Sequence, residues 1–332
     1  MKNIDEVSNI TDQEFYDIYF SKKPVLIKGS VTETSYFKNW SHEYLMNKIG
    51  TRPVPVRYIS NGIFNDASEI VTLPFNDFIK LSLQEEARSY YLQFTSMEAF
   101  FPELLIDLEK PHLMQDSDIP ILPALLWIGG AGCVSPLHYD FDENFLVQVR
   151  GRKSVKLFSP LDSSYLYPGT SHPFHLSTMN LEEPDRERFP LFNKADPYHC
   201  DLNAGDILYI PPRWWHHVKT ITPSISINHW FDRFDVLRGK GLEAKTTDEI
   251  VDAFQKYLSL GLPIDHRDVL GESLFIKAIQ LGYRNVIEAM IRLGANANCV
   301  SSRIMPGASA LKVADSLQQN DIYALLVANG AF

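Results

Sequence analysis

The segment "SPLHYDFDENF" (Ser135 to Phe145) places an imidazole and a carboxylate two residues apart, at His138 and Asp140, just after an apolar run with glycines. In an extended strand, residues two apart project from one face. His138 and Asp140 then point together and Tyr139 points away. A histidine and a carboxylate on one face give two sides of a 2-His-1-carboxylate set, which leaves open coordination positions and suits non-haem Fe(II). A lone His-x-Asp is weak evidence for a metal, so a third ligand has to come from elsewhere.

The segment "GDILYIPPRWWHHVKT" supplies two adjacent histidines after a Pro-Pro break. Only one of them can face a sheet interior. If His216 faces in, Val218 and Thr220 follow it, while His217 and Lys219 face out. The opposite register would bury Lys219, which costs more unless the charge is paired. His216 is therefore the expected ligand, and His217 a surface or supporting residue. In "NFLVQVRGRKSVKLF" the chain folds back at Arg150-Gly151-Arg152, and Lys153, Val155 and Leu157 share one face of the returning strand. One cation at the end of an apolar inward face fits an anchor for a carboxylate; a solvated hairpin-end lysine is the bland alternative. In "SISINHWF", Ser226, Asn228 and Trp230 lie on one face, as do Asn144, Leu146 and Gln148 in the earlier strand. Both faces suit a wet cavity.

The elements that must hold these residues are mostly strands. From Ile121 to about Phe231, short apolar runs alternate with Gly, Pro and Asp turns, as in an antiparallel sandwich or barrel. Between Pro160 and Asp206 lies a long polar, proline-containing insertion of the kind that forms lids or binding loops. Before the barrel the pattern is mixed. "DQEFYDIYFSKK" has helical spacing with Phe15, Ile18, Tyr19 and Phe20 on one side. "KPVLIKG", "RPVPVRYI" and "SYYLQF" are expected strands, and "WSHEYLMNKIG" a helix capped by Ser41.

Near residue 240 the pattern becomes helical. Two segments starting at Gly271 and Gly307 align at an offset of 36 residues, matching Ala278 with Ala314, Val286 with Ile322, and Gly294-Ala295 with Gly330-Ala331. They resemble ankyrin repeats, whose unit is ~33 residues, with "CVSSRIMPG" as a short insertion. The bland alternative is an ordinary helical domain. So short an array is expected to pack on the barrel or on a second subunit, which leaves a homodimer open.

Bulk properties narrow the function. The chain has 332 residues, 45% hydrophobic and 12% aromatic content, enough for a barrel plus an appendage. The net charge of −10 disfavours nucleic acid as a partner. Three scattered cysteines form neither a disulfide framework nor a thiolate metal site. No apolar run spans a membrane, and the polar "MKNIDEVSNITDQEF" is no secretory signal. The expected setting is cytoplasmic or another reducing compartment.

The motifs "SPLHYD", "NFLVQVRGRKSVKLFSP", "LYP", "DRERFP", "GDILYIPPRWWHHV" and "SINHWF" together resemble the JmjC-type, cupin-like 2-oxoglutarate oxygenases of the small hydroxylase group. Their order matches over about residues 120–232, and "KKPVLIKG" and "WSHEYL" resemble the N-terminal region of that group. The resemblance implies an α+β fold: a double-stranded β-helix (jelly-roll) barrel with flanking helices over 1–239, followed by a small all-α ankyrin-like region over 240–332. It implies Fe(II), 2-oxoglutarate and O2 as cofactor and cosubstrates, with His138, Asp140 and His216 as iron ligands. Lys153 would pair with the distal carboxylate of 2-oxoglutarate. Ser135, Asn144, Asn228, Trp230 and Tyr91 would line the cosubstrate pocket, Ser135 only if the strand breaks at Pro136.

The implied reaction is hydroxylation of a protein side chain, asparaginyl or arginyl, releasing succinate and CO2. N-methyl-lysine demethylation, RNA hydroxylation and other metal-dependent cupin chemistry are weaker alternatives. From a different class, the chain would be a non-catalytic ankyrin-repeat interaction module. Ankyrin repeats are substrates of the asparaginyl hydroxylase that this chain resembles, so the fused tail is a candidate protein-binding surface. His172, His175, His199 and Cys200 are expected to be loop or strand-end residues, and Arg186 and Arg188 partners of nearby acids.

Overall fold

Alternating inward and outward side chains make eight strands the core of the N-terminal unit. They are β1 (Leu125–Gly129), β2 (Val134–Tyr139), β3 (Glu143–Arg150), β4 (Arg152–Phe158), β5 (Tyr198–Asn203), β6 (Ile207–Ile210), β7 (Trp215–Thr220) and β8 (Ser224–Asp232). The computed structural model describes residues 2–64, 68–84, 87–114, 119–120, 123–140, 142–169, 175–232, 246–259, 264–265, 272–302 and 305–332. It divides into a unit of residues 1–115 and 120–231 and a unit of residues 116–119 and 232–332. The boundary expected at 239/240, together with His172 and Gly271, lies outside the described residues.

The eight strands form two antiparallel sheets, in the orders β6-β3-β8-β1 and β5-β4-β7-β2. This is a jelly-roll of the cupin type. The first sheet is extended beyond β6 by Val25–Ile27 and Asp5–Val7, and beyond β1 by Tyr90–Ser96, Pro53–Tyr58 and Glu69–Pro74. An apolar cluster that includes Val155, Leu157, Leu202 and Leu208 fills part of the barrel, and its members Leu146, Ile210 and Val218 also border a polar cavity. On the outer face of the first sheet, Phe145 stacks on Phe231 at 5.0 Å between ring centroids, and Phe15 meets Tyr209 at 4.8 Å. Each such buried ring contributes roughly 1.5–3 kcal/mol.

Two expectations are corrected. Tyr198–Asn203 is a strand inside the segment taken as an insertion, so His199 and Cys200 sit within β5 rather than at a strand end. Its alternation is muted because His199 and Asp201 share the outer face and Cys200 is small. Ile18 is 44% exposed, whereas Phe15, Tyr19 and Phe20 are buried. Residues Phe15–Tyr19 form a π-helical turn, whose wider winding rotates Ile18 away from the face that 3.6-residue spacing assigns it.

The C-terminal unit contains helices α1 (Thr247–Ser259), α2 (Leu274–Leu281), α3 (Arg284–Arg292), α4 (Ala310–Ser316) and α5 (Asn320–Ala328). The pair α4–α5 repeats α2–α3 with each start displaced by 36 residues, Leu274 to Ala310 and Arg284 to Asn320. Equivalent positions do equivalent work. Ser273 and Ser309 cap their helices, Ala278 and Ala314 are fully buried, and Val286 and Ile322 are buried likewise. Among the described residues, no helix is long and apolar enough to cross a membrane.

The β3–β4 hairpin sets the register that brings Lys153 inward, and Gly151 makes it. Gly151 has φ +74°, and a Cβ there would lie 2.2 Å from the Pro223 carbonyl oxygen. Gly151→Ala is expected to lower unfolding stability by on the order of 2 kcal/mol, read from denaturant melts; an unchanged midpoint would show that the hairpin tolerates the side chain.

Candidate metal centre

His138 on β2 and His216 on β7 are direct cross-strand partners, with ring centroids 4.2 Å apart. Asp140 follows two residues after His138, on the same face. One nitrogen from each ring and one Asp140 oxygen all lie within 4.8 Å of one another. Both rings are aimed by the backbone. His138 Nδ1 donates to the Pro136 carbonyl at 2.7 Å, and His216 Nδ1 donates to the Trp214 carbonyl at 2.9 Å. With Nδ1 protonated, each Nε2 keeps its lone pair for a metal. The Nε2 atoms stand 3.9 Å and 3.7 Å from the two Asp140 oxygens.

Asp140 is clamped in turn. Its Oδ2 accepts from Trp230 Nε1 at 2.9 Å and from Asn144 Nδ2 at 3.1 Å, and Asn228 Nδ2 holds the Asn144 oxygen at 2.7 Å. Burial pushes the Asp140 pKa up, but the His216 and His138 rings and these two donors outweigh it and hold the carboxyl below its usual range. Burial and the neighbouring His216 lower the His138 pKa to about 4. A carboxylate beside a neutral His138 imidazole is what a divalent metal requires of these two groups.

Past the bulge, β2 feeds the same cavity. Ser135 pairs with Val218 while His138 pairs with His216, so β2 spends three residues where β7 spends two. The extra residue reverses the alternation, and Ser135 lines the cavity beside His138, as a break at Pro136 requires. Tyr91, Asn144, Lys153, Asn228 and Trp230 line that cavity too. Lys153 is 1% exposed, and its Nζ donates to the Tyr91 hydroxyl at 3.3 Å. Burial pulls its pKa down to about 7. A Cβ on Gly129 would lie 2.7 Å from the Tyr91 ring, so glycine is what admits the ring to this position.

A second, outer cavity of about 290 Å³ shares His138, Ser135 and Trp230 with the first, and is also bordered by Asp140, Arg57, Gln93, Phe94 and His175. Sequence reasoning missed Trp127, which lines both cavities, and treated His175 as a surface or loop residue. The insertion reaches the metal strand through a bridge between Leu176 and His138. His217 does face away from the cluster, but it is buried at 2% exposure under the insertion, 3.5 Å from Glu182. Tyr139 points outward and packs edge-on against Trp215 at 4.7 Å. Arg186 bonds the Asn193 carboxamide, and the Arg188 guanidinium lies over Phe189 while its backbone N–H donates to Asp185 at 3.0 Å, so among the described residues neither guanidinium pairs with an acid.

Residues 11–236 match the family model of the cupin-like domain. The chain belongs to the cupin-like domain family. Among curated relatives of this cupin-like chain, "Lysine-specific demethylase 8" of Xenopus tropicalis is 34% identical over 66% of this chain and 50% of its own length. "JmjC domain-containing protein D" of Dictyostelium discoideum is 36% identical over 64% of this chain and 53% of its length. The chain thus spans about half of these two relatives. "tRNA wybutosine-synthesizing protein 5" of Gallus gallus is 29% identical over 85% of this chain and 96% of its own length. That match is longer than residues 1–236 can supply, so it reaches into the C-terminal unit.

Asp140→Ala is expected to weaken Mn(II) binding by at least about 100-fold in calorimetric titration, since even outer partners of metal ligands are worth 10–100-fold. Undiminished affinity would remove Asp140 from the ligand set. The metal-free protein is also expected to lose stability below pH 6.5. Burial holds His138 and His229 neutral, each with a pKa near about 4. Between pH 4 and 6.5 the unfolded chain binds more protons, so stability rises with pH. His229→Leu should reduce that slope by one proton, measured from denaturant midpoints against pH.

Proposed function

We propose that this chain is an Fe(II)- and 2-oxoglutarate-dependent oxygenase that hydroxylates a protein side chain, of asparaginyl or arginyl type. One observation carries the reading: the two histidines of a His-Asp-His cluster and a buried lysine, for which no ion pair is seen among the described residues, line one cavity. Two imidazoles and one carboxylate on one side of a metal leave positions open for a chelating cosubstrate and oxygen, and this set suits Fe(II). A buried ammonium facing a cavity calls for an anion, and a dicarboxylate with a keto acid at one end answers both features.

Bound iron would supply the oxygen chemistry, in which one atom of O2 enters a substrate C–H bond and the other enters succinate as CO2 leaves. The chain's own residues do the rest. Lys153 pairs with the distal carboxylate by a charge-assisted bond, and Tyr91 orients Lys153. Ser135 offers a hydroxyl inside the same cavity. Asn144 and Trp230 keep Asp140 turned toward the two rings, and Asn228 keeps Asn144 in place. Trp127, Leu146, Ile210 and Val218 give the cavity dry walls, which strengthens every charge contact inside it. The paired helices of the C-terminal unit are read as ankyrin-like and as the surface that holds a protein partner.

A second reading, hydroxylation of RNA, is favoured by the length of the match to the tRNA wybutosine-synthesizing relative. The net charge of −10 weighs against it, because phosphate binding depends on positive charge. N-methyl-lysine demethylation rests on the printed names of the demethylase relatives.

Succinate formation by the chain with Fe(II), 2-oxoglutarate and O2 tests the reaction class directly. Lys153→Ala is expected to raise the KM for 2-oxoglutarate about 100-fold, the cost of leaving a buried charge unpaired. In the wild type that KM should climb from pH 7 to 9. Unliganded Lys153 loses its proton near about 7, and only the ammonium holds the anion. A KM independent of both the substitution and pH would place the distal carboxylate elsewhere.

A further inference from the structure

The inner cavity holds a buried amine with little to answer its charge. Lys153 is 1% exposed, and the one hydrogen bond seen for its Nζ among the described residues, to the Tyr91 hydroxyl, is 3.3 Å long. An ammonium has three N–H donors, so burial here favours the uncharged amine and brings the pKa down to about 7. Two titratable groups bear on it from neighbouring elements, and neither supplies a counter-charge. Burial pushes the Tyr91 hydroxyl up and the Cys133 thiol up to about 12, so both stay neutral near pH 7. His138 and His216 line the same cavity, and imidazoles bring no negative charge. An uncharged buried amine keeps its lone pair, and such lysines act as nucleophiles.

There are more hydroxyls beside this amine than packing calls for. Thr220 stands directly opposite Lys153 on the paired strands β4 and β7. It is 1% exposed, and its Oγ1 is buried without a hydrogen bond of its own. It lies near enough to the Tyr91 hydroxyl to oppose the rise that burial gives the tyrosine pKa, as does Ser135. Valine has nearly the shape of threonine and would fill this position without burying an unanswered hydroxyl. The amine thus ends beside a cluster of three hydroxyls, from β7, β2 and the strand Tyr90–Ser96. Each of them can donate to an anion. The walls beyond are apolar, with Leu146 and Val218 among them.

We propose that Lys153 is a carbamylation site: when no diacid occupies the cavity, its amine takes up CO2, and the Tyr91, Ser135 and Thr220 hydroxyls hold the carbamate formed. The Nζ lone pair makes an N–C bond, one electron pair of a C=O bond moves onto oxygen, and an amine proton leaves for solvent. R–NH2 and CO2 give R–NH–COO⁻ and H⁺, with no oxidant or further reactant. CO2 is uncharged, so it enters a dry cavity without the desolvation cost that bicarbonate meets. The three hydroxyls answer the two carbamate oxygens, and Thr220 Oγ1 gains the partner it lacks. The modification itself is independent of the oxygenase reading, but its consequence rests on that reading. A carbamate has the same charge as the distal carboxylate that Lys153 would anchor, so CO2, a product of that reaction, competes with 2-oxoglutarate.

The test uses the full chain without metal, labelled with nitrogen-15 at the lysine Nζ atoms and equilibrated with carbon-13 CO2. Magnetic resonance of the wild type is expected to show a carbamate carbon coupled through one bond to nitrogen. Lys153→Met, which keeps the side-chain volume, should lose that signal. At fixed CO2 pressure the signal should grow from about pH 6 to 8, as the amine gives up its proton. Thr220→Val, which removes one donor and keeps the shape, is expected to raise the CO2 pressure at half-modification about 10-fold. Absence of a coupled, Lys153-dependent signal overturns the proposal. So does a Lys153-dependent signal that lacks the coupling and fades as pH rises, which is bicarbonate held by the ammonium. Should Lys153→Met fail to fold, Thr220→Val gives the same reading: a coupled signal whose half-point it leaves unchanged arises elsewhere and overturns the proposal. Added 2-oxoglutarate should displace the carbamate. A coupled, Lys153-dependent signal that 2-oxoglutarate leaves untouched supports the modification and sinks the parent reading alone.

Discussion

The pairing of β2 with β7 is the constraint on which the site depends. It sets two imidazoles face to face at 4.2 Å and brings a carboxylate within reach of both. This is a costly arrangement, because three groups with ligand lone pairs converge beside one another, each mostly withdrawn from solvent. The surrounding structure meets that cost by locking each group separately. Backbone carbonyls hold the two Nδ1 atoms, and an indole and a carboxamide hold one carboxylate oxygen. Such locking pre-organises the three groups, which would give up little freedom on binding an ion.

A second constraint follows from the first. The two histidines of the cluster occupy one wall of a narrow cavity, and the buried cation of that cavity comes from another strand. Lys153 provides it from β4, two strands from β2 in the same sheet. Its position relies on a hairpin that only glycine closes and on a tyrosine ring that only glycine admits. Two residues without side chains thus fix where the buried charge sits, and Gly151 and Gly129 belong to the site as much as the residues that line it.

The strand positions were legible in the sequence where alternation was strong. His138, Asp140, Lys153, Asn144, Asn228 and Trp230 follow from period-two counting; all but Asp140 line one cavity, and Asp140 borders the outer cavity beside His138. His216 was separable from His217 because one register would have buried Lys219. Alternation faltered at β5, where "YHCDLN" mixes polar and small residues, and at the N-terminal turn, where π winding moved Ile18 outward. Ser135 needed a bulge that counting alone cannot supply. The outer cavity was the least legible part. Gln93 and Phe94 lie in a strand that was recognised, yet their places in the cavity lining accompany a register shift and a positive φ, which leave no mark on composition or period.

That difference has a physical source. His138 and His216 sit directly opposite one another on paired strands, where one face repeats every two residues. The outer cavity is bordered instead by a register shift, a strained residue and a long insertion, each tolerant of change without disturbing the barrel. The insertion is nonetheless tied down. Leu176 bridges to His138, and Glu182 meets His217 and Lys219 on the back of the strand that carries His216. A change of sequence in the insertion is therefore felt at both strands that carry the candidate ligands, so the insertion and the geometry of the His-Asp-His cluster are mechanically linked.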